Sequence, residues 1–303
     1  MKMKKSVIGL VCAVILLSAQ MAFAQQGLTK IAENVYSYVD VKDASPQSSF
    51  AANAGVVVGK DGVLVIDTLV SAKEAKRFIS DIRKVTDKPV KYVVNTHYHL
   101  DHTFGNAEFA GLGATIISHA EDRKNMIANG EATLKNAQVL GLTEEDLRGT
   151  RIAIPTITFT DRMAIDLGGE TVELIFIAPS HTSGSIVVLL PEKKLLFAGD
   201  ILFTDFYPYL GEGDLAGWIK FLDYIQSIDV TAIVPGHGPL SGKKDVADMK
   251  EFLLAFDKKA RELAATSSDV DFITSELKKA LPARSKGEWI LPYNVKEKYL
   301  QTK

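Results

Sequence analysis

Cysteine is almost missing from this chain: there is one, Cys12, and it lies in an apolar run near the start. Beyond that run no disulfide, thiolate ligand or cysteine nucleophile is available, so the fold must rest on its core. An excess of positive charge is lacking too, with 35 basic against 37 acidic residues. Setting aside Lys2, Lys4 and Lys5 with the leader described below leaves 32 basic against 37 acidic residues, a net charge of −5. That balance excludes nucleic acid as a natural partner and disfavours phosphodiester cleavage. After the first 24 residues no apolar stretch is long enough to span a bilayer, and no internal repeat or low-complexity tract stands out. With 47% apolar residues the chain can bury one substantial core, so a single domain is the economical reading.

The start of the chain has three parts. Met1-Lys2-Met3-Lys4-Lys5 is basic, Ser6 to Ser18 is apolar, and Ala22-Phe23-Ala24 offers the small residues of a cleavage site. Together they predict a secretory signal over residues 1–24, a mature chain from Gln25, and a periplasmic or secreted protein without stable membrane association. The alternative is an uncleaved anchor, because Ser6 to Ala24 approaches the length of a membrane-spanning helix.

Strand and helix signals then alternate. Val35 to Val39 reads as a strand, and Ala54 to Val58 with Gly62 to Ile66 as a hairpin across Gly59-Lys60-Asp61. Apolar Ala72, Ala75, Phe78, Ile79 and Ile82 recur at helical spacing between Ser71 and Val85, and Val90 to Val94 is again a strand. Further strands are predicted at Ala114–Ile117, Leu174–Ile177, Ile186–Leu190, Leu195–Phe197 and Ala232–Val234. Interleaved helices and hairpins imply an α/β sandwich, sheets covered by helices. The helical stretches Glu121 to Leu147 and Asp245 to Ala265 read as surface helices packed by one face, though either is able to border a pocket.

The chemistry concentrates after the Val90 strand. Thr96-His97-Tyr98-His99-Leu100-Asp101-His102 packs four potential ligands into six positions, and three of the chain's six histidines are there. Alternate residues leaving a strand point one way while the following turn redirects the next ones, so one short loop can serve two adjacent metals. His181 in Pro179-Ser180-His181-Thr182-Ser183-Gly184, Asp200 in Phe197-Ala198-Gly199-Asp200 and His237 in Val234-Pro235-Gly236-His237-Gly238 also follow strands. Apolar strands ending in ligand-type residues are a way to build a site.

These motifs resemble the metallo-β-lactamase superfamily, whose HxHxDH, downstream His, bridging Asp and final His stand here in the family's order between about Ile31 and Leu240. The resemblance implies a four-layer αββα sandwich, with residues 25–303 forming one hydrolase domain that ends in helices from about 241. It further implies that His97, His99 and His181 hold one metal, that Asp101, His102 and His237 hold a second, and that Asp200 bridges them. Neutral imidazoles with carboxylates suit Zn2+, two per chain, with iron or manganese as alternatives. Two such cations would lower the pKa of a bridging water toward neutrality and make hydroxide available as the nucleophile, with Asp101 orienting or shuttling the proton. Di-iron members that run redox chemistry typically carry Glu where this chain has His99, which argues against oxygen reduction. His119 has no position in the pattern and is expected to be structural or to stand behind the ligands. Asp67 resembles the family's buried aspartate behind the metal loop, the other reading being a plain turn residue.

The substrate is less legible, because loops choose it. Leu189 to Asp200 resembles the matching stretch of true metallo-β-lactamases. Yet one lactamase subclass has Cys where this chain has Asp200, and the lysine which that subclass uses three positions later is Phe203. Asp200 as a bridging ligand is instead similar to glyoxalase II, a thioester hydrolase, and to lactonases. Tyr207, Pro208 and Tyr209 are expected at the mouth, as is the Asp40 to Ser49 loop; aromatics there favour an apolar substrate body. Arg284-Ser285-Lys286 is either a contact for an acidic substrate or a solvated charge run. Three readings stay open: a dizinc hydrolase of a small acyl substrate with an ester, thioester or lactone bond; a β-lactamase; and a metal-binding accessory protein without turnover.

Overall fold

The computed structural model describes residues 27–300, so the expected signal and its cleavage site lie outside the described residues. Seven strands form the first sheet in sequence order: β1 (Thr29–Ala32), β2 (Val35–Tyr38), β3 (Ala54–Val58), β4 (Val63–Ile66), β5 (Val90–Val94), β6 (Thr115–His119) and β7 (Ile157–Phe159). Pairings from β1 to β4 are antiparallel, and those from β4 to β7 parallel. Four helices interleave: α1 (Ala72–Val85), α2 (Leu100–Thr103), α3 (Asn106–Ala110) and α4 (Ala120–Asn136). The second sheet holds β8 (Arg162–Asp166), β9 (Thr171–Ile175), β10 (Val187–Leu190), β11 (Leu195–Phe203) and β12 (Ala232–His237) in reverse order. Its only parallel pair among the described strands is β11 with β12. Then come α5 (Leu215–Ser227), α6 (Lys243–Ala264), α7 (Val270–Ala280) and α8 (Leu291–Asn294).

The layers follow from the period-two alternation of strand side chains. In β4, Leu64 and Ile66 face the second sheet, joining Val57, Val94 and Ile117 against Leu174, Val188, Leu195 and Phe197. Val63 and Val65 point the other way, onto Ala75, Phe78 and Ile82 of α1 and Phe109 of α3. In β11, Leu195 and Phe197 face the first sheet while Leu196 and Ala198 meet Trp218, Phe221 and Leu222 of α5 and Met249 and Phe256 of α6. The result is helix, sheet, sheet, helix: the four-layer sandwich. Burying each large apolar side chain contributes roughly 1.5–3 kcal/mol, so these three clusters carry the stability of a chain whose described residues contain no cysteine.

Local signals set the boundaries. Ser71 caps α1, its hydroxyl accepting from the Glu74 N–H at 3.2 Å, which starts the helix one residue after the expected Ser71. β11 runs to Phe203, six residues past its expected end, because Gly199 at φ +49° shifts the register against β12 and lets the strand continue. The short strands β1, β7 and β8 carried no signal strong enough to be expected. Among the described residues no helix is long and apolar enough to cross a membrane. Every ligand-type residue singled out above except His119 gathers at one edge, past β5, within β11, at the end of β12 and between β9 and β10.

Candidate metal centre

The strands bring seven side chains together in two groups. His97, His99, His181 and Asp200 form one, and Asp101, His102 and His237 the other, with the ligand atoms of each within 4.8 Å of one another. Asp200 stands between them. Its Oδ2 is 3.4 Å from His181 Nε2 and 3.7 Å from His97 Nε2, and 3.5 Å from His237 Nε2; its Oδ1 is 3.2 Å from His102 Nε2. Asp101 Oδ2 lies 3.3 Å from His237 Nε2 and 3.6 Å from His102 Nε2. Gly236 makes the approach possible, since a Cβ there would sit 1.9 Å from Asp200 Oδ1.

Each of the five rings is gripped from behind. His102 Nδ1 donates to Asp67 Oδ2 at 2.8 Å, and Asp67 also accepts from the Thr96 N–H and hydroxyl at 2.8 and 2.7 Å. Asp67 is thus the support of the metal loop and not a plain turn residue, although its φ of +59° is unusual for a residue with a Cβ. Because the Thr96 hydroxyl is committed to Asp67, His97 Nδ1 donates to its oxygen at 3.1 Å. His181 Nδ1 donates to the Tyr209 carbonyl and His237 Nδ1 to the Phe50 carbonyl, both at 3.1 Å. His99 is turned over relative to the others: its Nε2 donates to Glu212 at 2.5 Å and its Nδ1 faces inward. Such partners fix the tautomer and aim a lone pair at the interior.

A cation fits this arrangement. His97 Nε2, His102 Nε2 and Asp200 Oδ1 are buried without any hydrogen-bond partner, which is costly for polar atoms unless something else satisfies them. His99 Nδ1 and His181 Nε2 meet at 2.9 Å although the opposite nitrogen of each ring already donates outward; as neutral rings they would set lone pair against lone pair. Electrostatics agree. Burial alone would push the Asp200 carboxyl up, but the charges of His237, His102 and His97 hold it well below the usual carboxylate range. Burial pulls His237 down, yet Asp200 and Asp101 raise it to about 9. The carboxylates demand positive charge, which a divalent cation supplies in place of protons.

His119 stands apart. It caps α4, its Nδ1 accepting from the Glu121 N–H at 3.2 Å, and stacks on Phe176 with ring centroids 4.1 Å apart.

Over the cluster lies a cavity of about 360 Å3. Its walls come from Phe50, Leu100 and Phe104, from Val139 and Leu140 after α4, from Phe203, Phe206 and Tyr209, and from Trp289 and Tyr293 near α8. Tyr209 lines it as expected, whereas Tyr207 is buried in the helix-side core and neither it nor Pro208 reaches the cavity. Phe50 takes the place expected of the Asp40 to Ser49 loop. Ser49, Phe50 and Ala51 all have positive φ, which turns the Phe50 carbonyl onto His237 while its ring enters the wall. Of the two expected surface helices, the first borders the cavity through Gly130 and Thr133; the second, α6, packs by one face. Glu212, Trp289 and Tyr293 carried no sequence signal, since each acts through long-range placement and not through a local motif.

Fold and cluster together define a metallohydrolase-type α/β sandwich. A family model described as the metallo-beta-lactamase superfamily matches residues 49–237, and the chain belongs to that superfamily. It is 24% identical over 64% of its length to a linear primary-alkylsulfatase of Pseudomonas sp. (strain ATCC 19151), of which the match spans only 43%. It is 26% identical over 63% of its length to the acyl-coenzyme A thioesterase MBLAC2 of Homo sapiens, spanning 74% of that protein. Among solved structures, a metallo-beta-lactamase from Pontibacter korlensis superposes with a TM-score of 0.63 at 21% identity, covering 76% of this chain and 99% of that one.

Proposed function

We propose that the chain is an exported two-metal hydrolase, loaded with two zinc ions, that cleaves an ester, thioester or lactone bond of a small molecule. The observation that carries this reading is the convergence of five outward-anchored imidazoles on Asp200, with unpartnered atoms at the centre. His97, His99 and His181 would hold one ion, Asp101, His102 and His237 the other, and Asp200 both. When bound, such a pair supplies Lewis acidity and a water deprotonated near neutral pH. The chain's own residues do the rest. Asp101 lies on the cavity floor, where the carboxylate oxygen turned away from His102 and His237 can accept a proton and return it to the departing group. Phe203 and Phe206 pack on the His237 ring at 5.2 and 4.8 Å between centroids and exclude bulk water from it. Glu212 keeps His99 Nδ1 aimed inward.

The acyl reading is supported by the apolar cavity and by the likeness to a thioesterase; the superfamily's range, a sulfatase included, shows that the shared cluster does not choose the bond. The test is zinc content of the purified protein together with turnover of a chromogenic cephalosporin, a thioester, a lactone, an aryl ester and a phosphodiester. About two zinc ions with acyl turnover is the expected result. Two zinc ions without turnover of any of them would replace this reading with a metal-binding accessory protein, and cephalosporin turnover alone would make it a β-lactamase.

A further inference from the structure

The cavity's charge is as informative as its shape. No lysine or arginine lines it among the described residues. Three cations of the neighbouring segments are engaged elsewhere: Lys286 donates to the Val41 carbonyl at 2.7 Å, the Arg284 guanidinium lies 4.2 Å over the Phe252 ring in a separate cleft, and Lys298 donates to the Gly213 carbonyl. Arg284 and Lys286 are thus held within the fold, and no residue of Arg284-Ser285-Lys286 lines this cavity. Beyond the metal cluster the only carboxylates on the wall among the described residues are Glu212 and Glu297, which accept from the Tyr98 and Tyr209 hydroxyls. Apart from Gly130 and Thr133 the remainder is aromatic and aliphatic, with Trp289 packed 5.5 Å from Phe50 and 6.1 Å from Tyr293 between ring centroids.

We infer that this cavity takes an uncharged substrate with a bulky aromatic or apolar body and discriminates against anionic ones. An anionic group on the body would leave water for a wall that offers aromatic faces and two carboxylates but no counter-ion. The metal cluster does not rescue it, because its positive charge lies on the floor, where the scissile bond must sit. A flat apolar body, by contrast, meets the aromatic rings of Phe50, Phe206, Tyr209 and Trp289 and the aliphatic side chains of Val139 and Leu140. Free carboxylates, sulfate esters and acyl groups carried on phosphorylated carriers are then poor substrates, whatever the superfamily's other members accept. The inference rests on the hydrolase reading only for what happens to the bound molecule; which molecule is bound is set by the wall.

Two readouts keep the readings apart. Calorimetric binding to the zinc-loaded full chain compares 2-acetylnaphthalene with naphthalene-2-sulfonate, and steady-state turnover compares 2-naphthyl acetate with its 6-sulfonate. The neutral member of each pair is expected to win by about tenfold or more, because an anionic group left without a partner is penalised on binding. Trp289→Ala should weaken neutral-probe binding at least threefold with zinc content unchanged, and Val139→Lys, at a rim residue 74% exposed, should narrow the gap between the probes. Equal or tighter binding of the sulfonate, or a Trp289→Ala variant that binds like the parent, would overturn the inference. Absence of turnover on both esters with the binding contrast intact would instead overturn the hydrolase reading alone.

Discussion

The floor and the mouth of the cavity are built on opposite plans. On the floor, seven ligand-type residues leave neighbouring strand ends, each ring is anchored by its outer nitrogen, and His97, His102 and His181 are fully buried. The mouth is assembled from Phe50, Val139, Tyr209, Trp289 and Tyr293, which no single element shares, and its outermost members are open to water, Trp289 at 43% exposure. The floor is over-determined: each of its five rings is fixed by backbone, by a partner behind it and by the group in front. The mouth rests mostly on packing, joined by hydrogen bonds at Tyr209 and Phe50. Substitutions should therefore act almost all-or-none on the floor and by degrees at the mouth.

The largest effect is expected where the two halves of the floor meet. Asp200→Ala removes the one side chain common to both groups, so zinc content should fall toward zero and kcat/KM by roughly a thousandfold or more; His97→Ala should act in the same direction on one group. Metal analysis beside steady-state kinetics checks this, and full activity in either variant would end the distinction between floor and mouth. Gly236→Ala leaves all seven ligands in place but puts a methyl group 1.9 Å from Asp200 Oδ1. Something must shift, and zinc affinity should drop about 10–100-fold, the range for disturbed support of a ligand. A competition titration with a metal chelator gives the number.

Two carboxylates grip imidazoles from behind, one deep and one at the rim, and their contrast sharpens the comparison. Asp67 accepts three hydrogen bonds in full burial, so Asp67→Asn turns an amide NH2 against a donor. That should cost about 1–3 kcal/mol of stability from the unpaired group and roughly 10–100-fold in zinc affinity. Glu212 is 37% exposed at the side chain, and Glu212→Gln keeps a carbonyl oxygen for His99 Nε2 while water can serve the rest. About tenfold or less in zinc affinity is expected there. Equal losses would mean that burial does not grade the supports.

The same contrast explains what could be read from the sequence. Layers and core were legible because strands β3 to β6 and helix α1 obey simple periods, and the floor because His97, His99, Asp101 and His102 crowd one short loop. Asp67 was half-legible: its place at the end of β4 was clear, but its partners Thr96 and His102 lie 29 and 35 residues away. The mouth was nearly illegible. Tyr207 and Tyr209 look alike in sequence, and only the path after β11 sends one into the core and the other to His181. Trp289 and Tyr293 reach the cavity because α6 and α7 carry the chain back across the second sheet, which no local pattern announces.

His119 marks the outer limit of the floor and should show the smallest effect on it. Zinc content of His119→Ala should equal that of the parent; loss of a metal would extend the floor to this ring. The variant should lose about 0.5–2 kcal/mol through the missing helix cap, and the loss should depend on pH. Burial holds the ring below its ordinary value of 6.5, so the unfolded chain takes up a proton here at a pH where the folded one does not. Stability from this residue is then complete above 6.5 and declines as pH falls through 6.5 toward the folded value. The alanine variant lacks that decline, so the gap between the two proteins should be widest near pH 8 and narrow toward pH 5 in parallel denaturant melts. A gap that widens on acidification would mean that His119 is held protonated, and that its Nδ1 does not accept from the Glu121 amide.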